Sequence, residues 1–310
     1  MDSTMDVSMT VTDNVAVTKV ELYLDDAVSP LTTIQVEPWT ARINISALYD
    51  TVHTLIAKGY DAEGNIGTAT VLFWKGYKHT ADNVRMPLIE NVTSANCVNC
   101  GPSNELFTNN IANLGLQDRI AVIRYHTWWP RSTDMLWQQS QTWCRPRTMY
   151  LFSPIPESNF TSPRAWVDGV DAGSNANTWT NKISAEMKVP AEAKITLSKV
   201  TQQDSSVVLT IIAKGLTSGS FSDLRLHCVV TESNIEYNDG NSEYVHYEVM
   251  RTMMPDADGE SFTLSNGEEK TFNRTVVPAS HWVKKNLKAV VFIQSQSSKK
   301  ILQAAKTVLY

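Results

Sequence analysis

The chain has 310 residues, 42% of them hydrophobic and 19% charged, with a formal net charge of −5 and four cysteines. That length is about twice a typical domain, and the composition is globular, which excludes a disordered chain and predicts two or three domains. No stripe of lysine or arginine is present to neutralise phosphates, so nucleic acid is excluded as a partner. No apolar run approaches the roughly 20 residues that span a bilayer, so no integral membrane segment is expected.

From Val7 to Trp74 the segments VSMTVTD, VTKVELYLDD, TARINIS, HTLIAKGYD and GTATVLFW place apolar residues at alternate positions between turn residues. This is the pattern of a β-sandwich. The stretch TDNVAVTKVELYLDD, the pair Pro38-Trp39 and HTLIAKGYDAEGNIGTATV, with its hairpin Gly59 to Asn65, resemble the bacterial immunoglobulin-like domains of surface and secreted proteins. Those domains have one more strand before this chain starts. The start MDSTMDVSMTV also lacks the basic and apolar regions of a leader, so the chain is expected to continue a longer exported precursor. Asp61, Glu63 and Asn65 alternate around Gly64, but without a distal glutamate a hairpin turn is expected rather than a calcium loop.

Residues 75–83 read as a polar linker. MPLIENV (86–92) then reads as a buried strand, residues 101–116 as a helix with Pro102 in its first turn, and RIAVIRYH (119–126) as a second buried strand. The helix is expected to bury Leu106, Phe107, Ile111 and Leu114 and to end at Gly115. Residues 128–160 form a tryptophan- and proline-rich, partly helical insertion; SPRAWVDGV returns to strand, and 177–189 reads as an amphipathic helix. Beyond Pro190 come some seven alternating segments, from AKITLSKV to ILQAAKTVL, which predict a second sandwich.

Cys97 and Cys100 lie between the first buried strand and the helix. There the positive end of the helix dipole favours a thiolate on Cys97, while Cys100, one turn in, is placed to resolve a mixed disulfide. This position resembles that of the redox dithiol in thioredoxin-type proteins, and the resemblance implies a cis-proline facing the sulfurs, for which Pro163 after Ser162 is the candidate. Thioredoxins carry tryptophan before the first cysteine and Gly-Pro between the two; here Asn96 and Val98-Asn99 stand instead. The family's buried carboxylate behind the sulfurs has no exact counterpart here; Glu90 and Asn91 lie close by in the strand, and a proton-shuttle role for Glu90 stands against a solvent-facing or capped glutamate.

Other chemistry stays open for these cysteines. Zinc needs two more ligands, for which Cys144, His126 and His79 are the candidates, and no second pair has ligand spacing. A structural disulfide suits an oxidising compartment but closes too short a loop to stabilise much. Cys228 alternates with Leu224, Leu226 and Val230 and reads as a buried thiol; Cys144 is open to pairing with it or with the dithiol. His126, His246 and Ser94 make no recognisable nucleophilic set and read as structural. Trp128, Trp129, Trp137 and Trp143 are expected to fill the insertion's core, with one or two rings left for partners.

Taken together, LIENVTSANCVNC, RYHTWWP, Arg147 to Tyr150, SPRAWVDG, YVHYEVMR, LKAVVFIQS and ILQAA resemble the outer membrane protein 28-related family. The resemblance implies a thioredoxin-like domain joined to a C-terminal β-sandwich and export to the bacterial envelope. The expected architecture is thus multidomain α+β: an incomplete immunoglobulin-like sandwich over 1–76, a thioredoxin-like α/β domain over 77–189 with the insertion, and a β-sandwich over 190–310. The expected activity is thiol–disulfide exchange with envelope or extracellular proteins through Cys97, Cys100 and Pro163, with no cofactor or metal. The alternative is a surface binding protein, with surface ligands as partners, in which the same pair is structural.

Overall fold

The structure is a computed structural model that describes residues 4–25, 27–46, 48, 52–74, 84–217 and 220–310. The linker read at 75–83 and the zinc candidate His79 lie outside the described residues. Two compact units emerge, Met1–His79 and Thr80–Tyr310.

In the first unit the strands are β1 (Thr4–Ser8), β2 (Val17–Leu24), β3 (Thr32–Ile34), β4 (Thr40–Asn44), β5 (Val52–Asp61) and β6 (Ile66–Trp74). Pairing of β1 with β4 faces a sheet of order β3-β2-β5-β6. Alternation in β2 drives Val20 and Leu22 inward, and Leu22 meets Ile43, Ile45 and Leu55 in the core. At the β5–β6 hairpin the Asp61 carboxylate accepts from the N–H groups of Glu63 and Asn65, both at 2.8 Å, and from the Asn65 amide at 2.6 Å. The turn itself therefore occupies the acidic group, and Gly64 supplies the positive φ of 86°.

The second unit holds β7 (Leu88–Thr93), α1 (Cys100–Asn113), β8 (Ala121–His126), α2 (Met135–Phe152), β9 (Arg164–Val167), β10 (Val170–Gly173) and α3 (Ala176–Glu186). It continues with β11 (Ala193–Thr201), β12 (Val207–Gly215), β13 (Ser220–Glu232), β14 (Ile235–Glu236), β15 (Val245–His246), β16 (Val249–Met254), β17 (Glu260–Ser265), β18 (Glu269–Val276), β19 (Leu287–Ser295) and β20 (Ile301–Val308). A nine-stranded sheet runs β10-β9-β7-β8-β16-β13-β19-β20, with β17 also on β13, and a three-stranded sheet runs β11-β12-β18. Alternation splits β13 between two cores. Leu224, Leu226, Cys228 and Val230 pack against the three-stranded sheet, while Val229 joins Leu88, Ile123, Tyr125 and α2 on the other side.

The two ends of the long sheet are clasped together. Buried Arg85 donates to Asp168, in the β9–β10 turn, at 2.8 Å and to the carbonyl of Ile301 in β20 at 2.6 Å. The middle is joined more sparingly, because β8 and β16 share the single parallel register pair Arg124 and Val249.

This arrangement overturns the expected α+β architecture with a separate thioredoxin-like α/β domain. Strands take 45% of the described residues and helices 17%, and the fold is all-β and sandwich-like with three α-helices among the described residues. The strands read as a β-α-β unit, β7 and β8, have no sheet of their own, since β16 takes the far edge of β8 and continues it into the C-terminal strands. The physical reason is that a continuous apolar run reports burial on both faces, whether helices or a second layer of strands do the covering. The helices themselves lie close to expectation, but Leu106 of α1 is 44% exposed while Phe107 and Ile111 are buried. Among the described residues no helix is long and apolar enough to cross a membrane.

Candidate functional site

The chain leaves β7 at Thr93, turns through Ser94 to Asn99, and enters α1 at Cys100. Two backbone bonds set the turn: the Cys97 N–H donates to Ser94 at 3.2 Å and that of Cys100 to Cys97 at 2.9 Å. Pro102 sits in the first turn, where a missing N–H costs nothing. Cys97 and Cys100 are joined as a disulfide, with their Cα atoms 5.3 Å apart. Their exposures differ in kind: Cys97 retains 6% of its surface beside Val98, which is 74% exposed, and Cys100 retains none.

Pro163 comes to the same place from β9's approach. The Ser162–Pro163 peptide is cis, and both the carbonyl and the hydroxyl of Ser162 lie 3.5 Å from the Cys97 sulfur. In the disulfide the sulfur accepts from the hydroxyl; as a thiol it has the carbonyl to donate to. The structure thus brings the cysteine pair together and sets Ser162, the residue before Pro163, against the Cys97 sulfur.

A group that sequence reasoning missed holds this loop. Asp134, fully buried and the N-cap of α2, accepts from Ala95 N–H at 2.8 Å, from the Ser94 hydroxyl at 3.2 Å and from Leu136 N–H at 2.8 Å. Its Oδ2 also meets His126 Nδ1 at 2.7 Å. Burial alone would raise the Asp134 pKa, but the facing His126 and the backbone N–H donors outweigh it and hold the carboxyl well below the usual carboxylate range. The S/T-D-type cap before an apolar helix was the available sequence signal, at Thr133-Asp134.

The segment between β14 and β15 covers the loop from the other side. Asn241 donates to the carbonyl of Ser94 at 3.0 Å, and the Asn96 amide donates to Asp239 at 3.1 Å. Gly101 presses so closely on this segment that an added Cβ would stand 2.0 Å from the Asn241 carbonyl oxygen. No local signal in the sequence joins residues so far apart along the chain.

Ser94, Asp134 and His126 do meet, but in an order unsuited to nucleophilic attack. Serine and histidine both address the same carboxylate oxygen, and Ser94 is fully buried. His126 stacks edge-on against His246 at 5.3 Å, and its Nε2 is buried without a partner. Burial, with the neighbouring His126 and Arg124 adding to it, holds His246 down at about 3, so that ring is neutral.

Glu90 is neither solvent-facing nor placed to shuttle a proton. It is 1% exposed, gripped by Arg147 through two bonds of 2.7 Å, and accepts from Tyr125 at 2.9 Å. Asn91 instead bonds Asn104 of α1 at 2.7 Å. Cys144 and Cys228 are both buried free thiols, each pushed up to about 12 by burial, so neither pairs with the other or with the dithiol. Among the described residues no group of three or more His, Cys, Asp or Glu is placed to hold a metal. The two sulfurs of the zinc reading are bonded to each other, and its candidate His79 lies outside the described residues.

Of the tryptophans, Trp137 is core, whereas Trp128, Trp129 and Trp143 are half-buried against it. Trp128 lies 4.7 Å from Trp129 and carries the Arg145 guanidinium 4.2 Å above its ring. Trp129 packs on Phe160 at 5.4 Å, two residues before Ser162.

Among curated proteins no sequence match is found. Of solved structures, HBP35 of Porphyromonas gingivalis gives a TM-score of 0.59 at 17% identity, over 73% of this chain and 75% of that one. That likeness is one of fold. A structural-genomics protein from Agrobacterium tumefaciens gives 0.48 at 18% identity, over 72% of this chain and 94% of that one. A domain of the outer membrane lipoprotein Omp28 from Porphyromonas gingivalis gives 0.29 at 16% identity, over 38% of this chain and 88% of that one. In sequence, residues 1–57 match the bacterial Ig domain family and residues 160–309 the outer membrane protein Omp28 family. The chain therefore joins a segment similar to bacterial Ig domains to a segment similar to the outer membrane protein Omp28 family, and both similarities point to the cell envelope.

Proposed function

We propose that this envelope protein performs thiol–disulfide exchange on other envelope or extracellular proteins through Cys97 and Cys100, with the Ser162–Pro163 segment shaping the place where the partner's sulfur lies. The observation that carries this reading is the asymmetry of the pair: one sulfur at the edge beside an exposed residue, the other sealed at the start of a helix. In the reduced protein, the Cys97 thiolate attacks a partner disulfide, forming a mixed disulfide and releasing one partner thiolate. Cys100 then attacks the Cys97 sulfur, restoring the internal disulfide and releasing the second partner thiol, so that two electrons pass to the partner. Starting from the oxidised protein, the same steps run in reverse.

Trapping tests it. With Cys100→Ser, incubation with glutathione disulfide is expected to leave one glutathione bound at Cys97, and with Cys97→Ser none at Cys100. Equal modification of both variants, or of neither, contradicts the assignment.

A second reading rests on a specific observation. The loop is pinned by Asp134, Asp239 and Asn241, and Cys97 shows only 6% of its surface, as suits a permanent disulfide in a binding scaffold whose half-buried tryptophans meet the partner. Against it, closing a four-residue loop contributes little stability.

A further inference from the structure

The single register pair between β8 and β16 leaves the long sheet open at its seam, and α1 does not fill the gap. A cavity of about 280 Å³ remains there. By the ~30 Å³ that a water takes in the liquid, it holds a molecule of about ten non-hydrogen atoms. One wall is apolar: Phe107 and Ile111 from α1 and Val290 from β19, all buried.

The other wall is polar and carries unused hydrogen-bonding groups. Arg124, 2% exposed, spends its terminal nitrogens on Glu243 at 3.3 Å and Thr108 at 2.8 Å, and its Nε is buried without a partner. The Thr231 hydroxyl, on a residue 1% exposed, is also buried without a partner. At the rim, Lys288 stands 3.8 Å from Glu248, whereas Lys306 donates to the neutral carbonyl of Gln117. Burial, reinforced by Lys288, holds the Lys306 ammonium below its ordinary range, with Glu248 and Asp118 opposing. Arg124, Lys288 and Lys306 thus line the cavity with Asp118 and Glu248, while Glu243 pairs Arg124 from outside the lining, so an anion is drawn by the unpaired donors rather than by an excess of cations.

An arginine Nε can only donate, so what completes this wall is an acceptor. A buried polar group left unpaired is costly, and a ligand that pairs it recovers that cost. We propose that the seam cavity binds a small organic monocarboxylate, with its carboxylate at Thr231, Arg124 Nε and Lys306 and its apolar body against Phe107, Ile111 and Val290. Such a mix of apolar wall and few convergent polar groups is the usual build of a small-molecule site. The proposal stands apart from the dithiol reading and shares no residue with it.

Titration calorimetry of the full chain with phenylacetate tests it, with 2-phenylacetamide as the neutral probe of the same shape. The expected result is a Kd of about 1 mM or tighter for phenylacetate and binding about tenfold weaker for the amide. Thr231→Val and Lys306→Met, the latter at a half-buried rim position, are each expected to lose about tenfold, the scale of one charge-assisted hydrogen bond. Ile111→Trp, which fills the cavity, is expected to abolish binding, and the thermal midpoint of each variant shows whether it has folded. No heat from the wild type at about 10 mM phenylacetate overturns the proposal, since even a weak site for a ligand of this size would show there. So does equal affinity for acid and amide, or for the wild type and the two polar variants.

Discussion

Two buried charge clusters flank β8, and they are built differently. On one side Glu90, Arg147 and Tyr125 form a closed set: both carboxylate oxygens are taken, and the third arginine nitrogen reaches Gln294 of β19 at 2.9 Å. On the other side Asp134, His126 and His246 form an open one, with His126 Nε2 and His246 Nδ1 lacking hydrogen-bond partners. The closed cluster ties α2 and β19 to β7 and has no bond to the cysteine loop. The open cluster is bonded directly to Ser94 and Ala95, three and two residues before Cys97. The two clusters thus differ in what they hold: one the sandwich, the other the cysteine loop.

Breaking the closed cluster should have the largest effect on stability. Arg147→Met leaves the Glu90 carboxylate buried and unpaired, so urea unfolding is expected to show a loss of about 3–5 kcal/mol, largely recovered in the double variant with Glu90→Leu. The dithiol's reduction potential should stay where it is. Gly101→Ala comes next: its methyl group, 2.0 Å from the Asn241 carbonyl oxygen, must push the covering segment away. A loss of about 1–3 kcal/mol is expected, together with faster alkylation of Cys97 in the reduced protein, read by mass spectrometry.

Asp134→Asn strikes the open cluster. Removing the charge that faces His126 is expected to cost about 2 kcal/mol. It should also move the potential by about 30 mV or more toward less negative values, because a loosened loop without the nearby negative charge favours the dithiol. An unchanged potential would erase the distinction between the clusters.

The last effect, spread over several pH units, is a pH dependence. His246 is held at about 3 against an ordinary 6.5, so the unfolded chain takes up the proton first as pH falls. Stability from this group is full above about pH 6.5 and is lost toward pH 3, with a slope of up to about 1.4 kcal/mol per unit. Asp134, held below the usual range, adds a loss of the same sign at lower pH. His246→Gln should flatten the profile between about pH 6 and 4.

The sequence was most legible where an interaction is local. Alternation located most strands and the inward row of Cys228, though it set the first segment later than β1 and passed over β3, β14 and β17, and the strand-to-helix turn placed Cys97 and Cys100 together. It was least legible where an interaction joins distant segments. That β16 would extend the edge of β8 depends on Val249 meeting Arg124, and nothing near either residue announces it. The same blindness turned a continuous sheet into an expected α/β domain and left Asp239 and Asn241 out of the site. Glu90 was read from its place behind the sulfurs, yet its partner Arg147 lies 57 residues on.

The most direct test of the central claim is the reduction potential of the Cys97–Cys100 pair, measured by equilibration in glutathione or dithiothreitol buffers and trapping of free thiols. Exchange chemistry predicts a reversible two-electron transition between about −120 and −270 mV. A pair that resists reduction to well below about −300 mV is a structural disulfide, and that result would contradict the account.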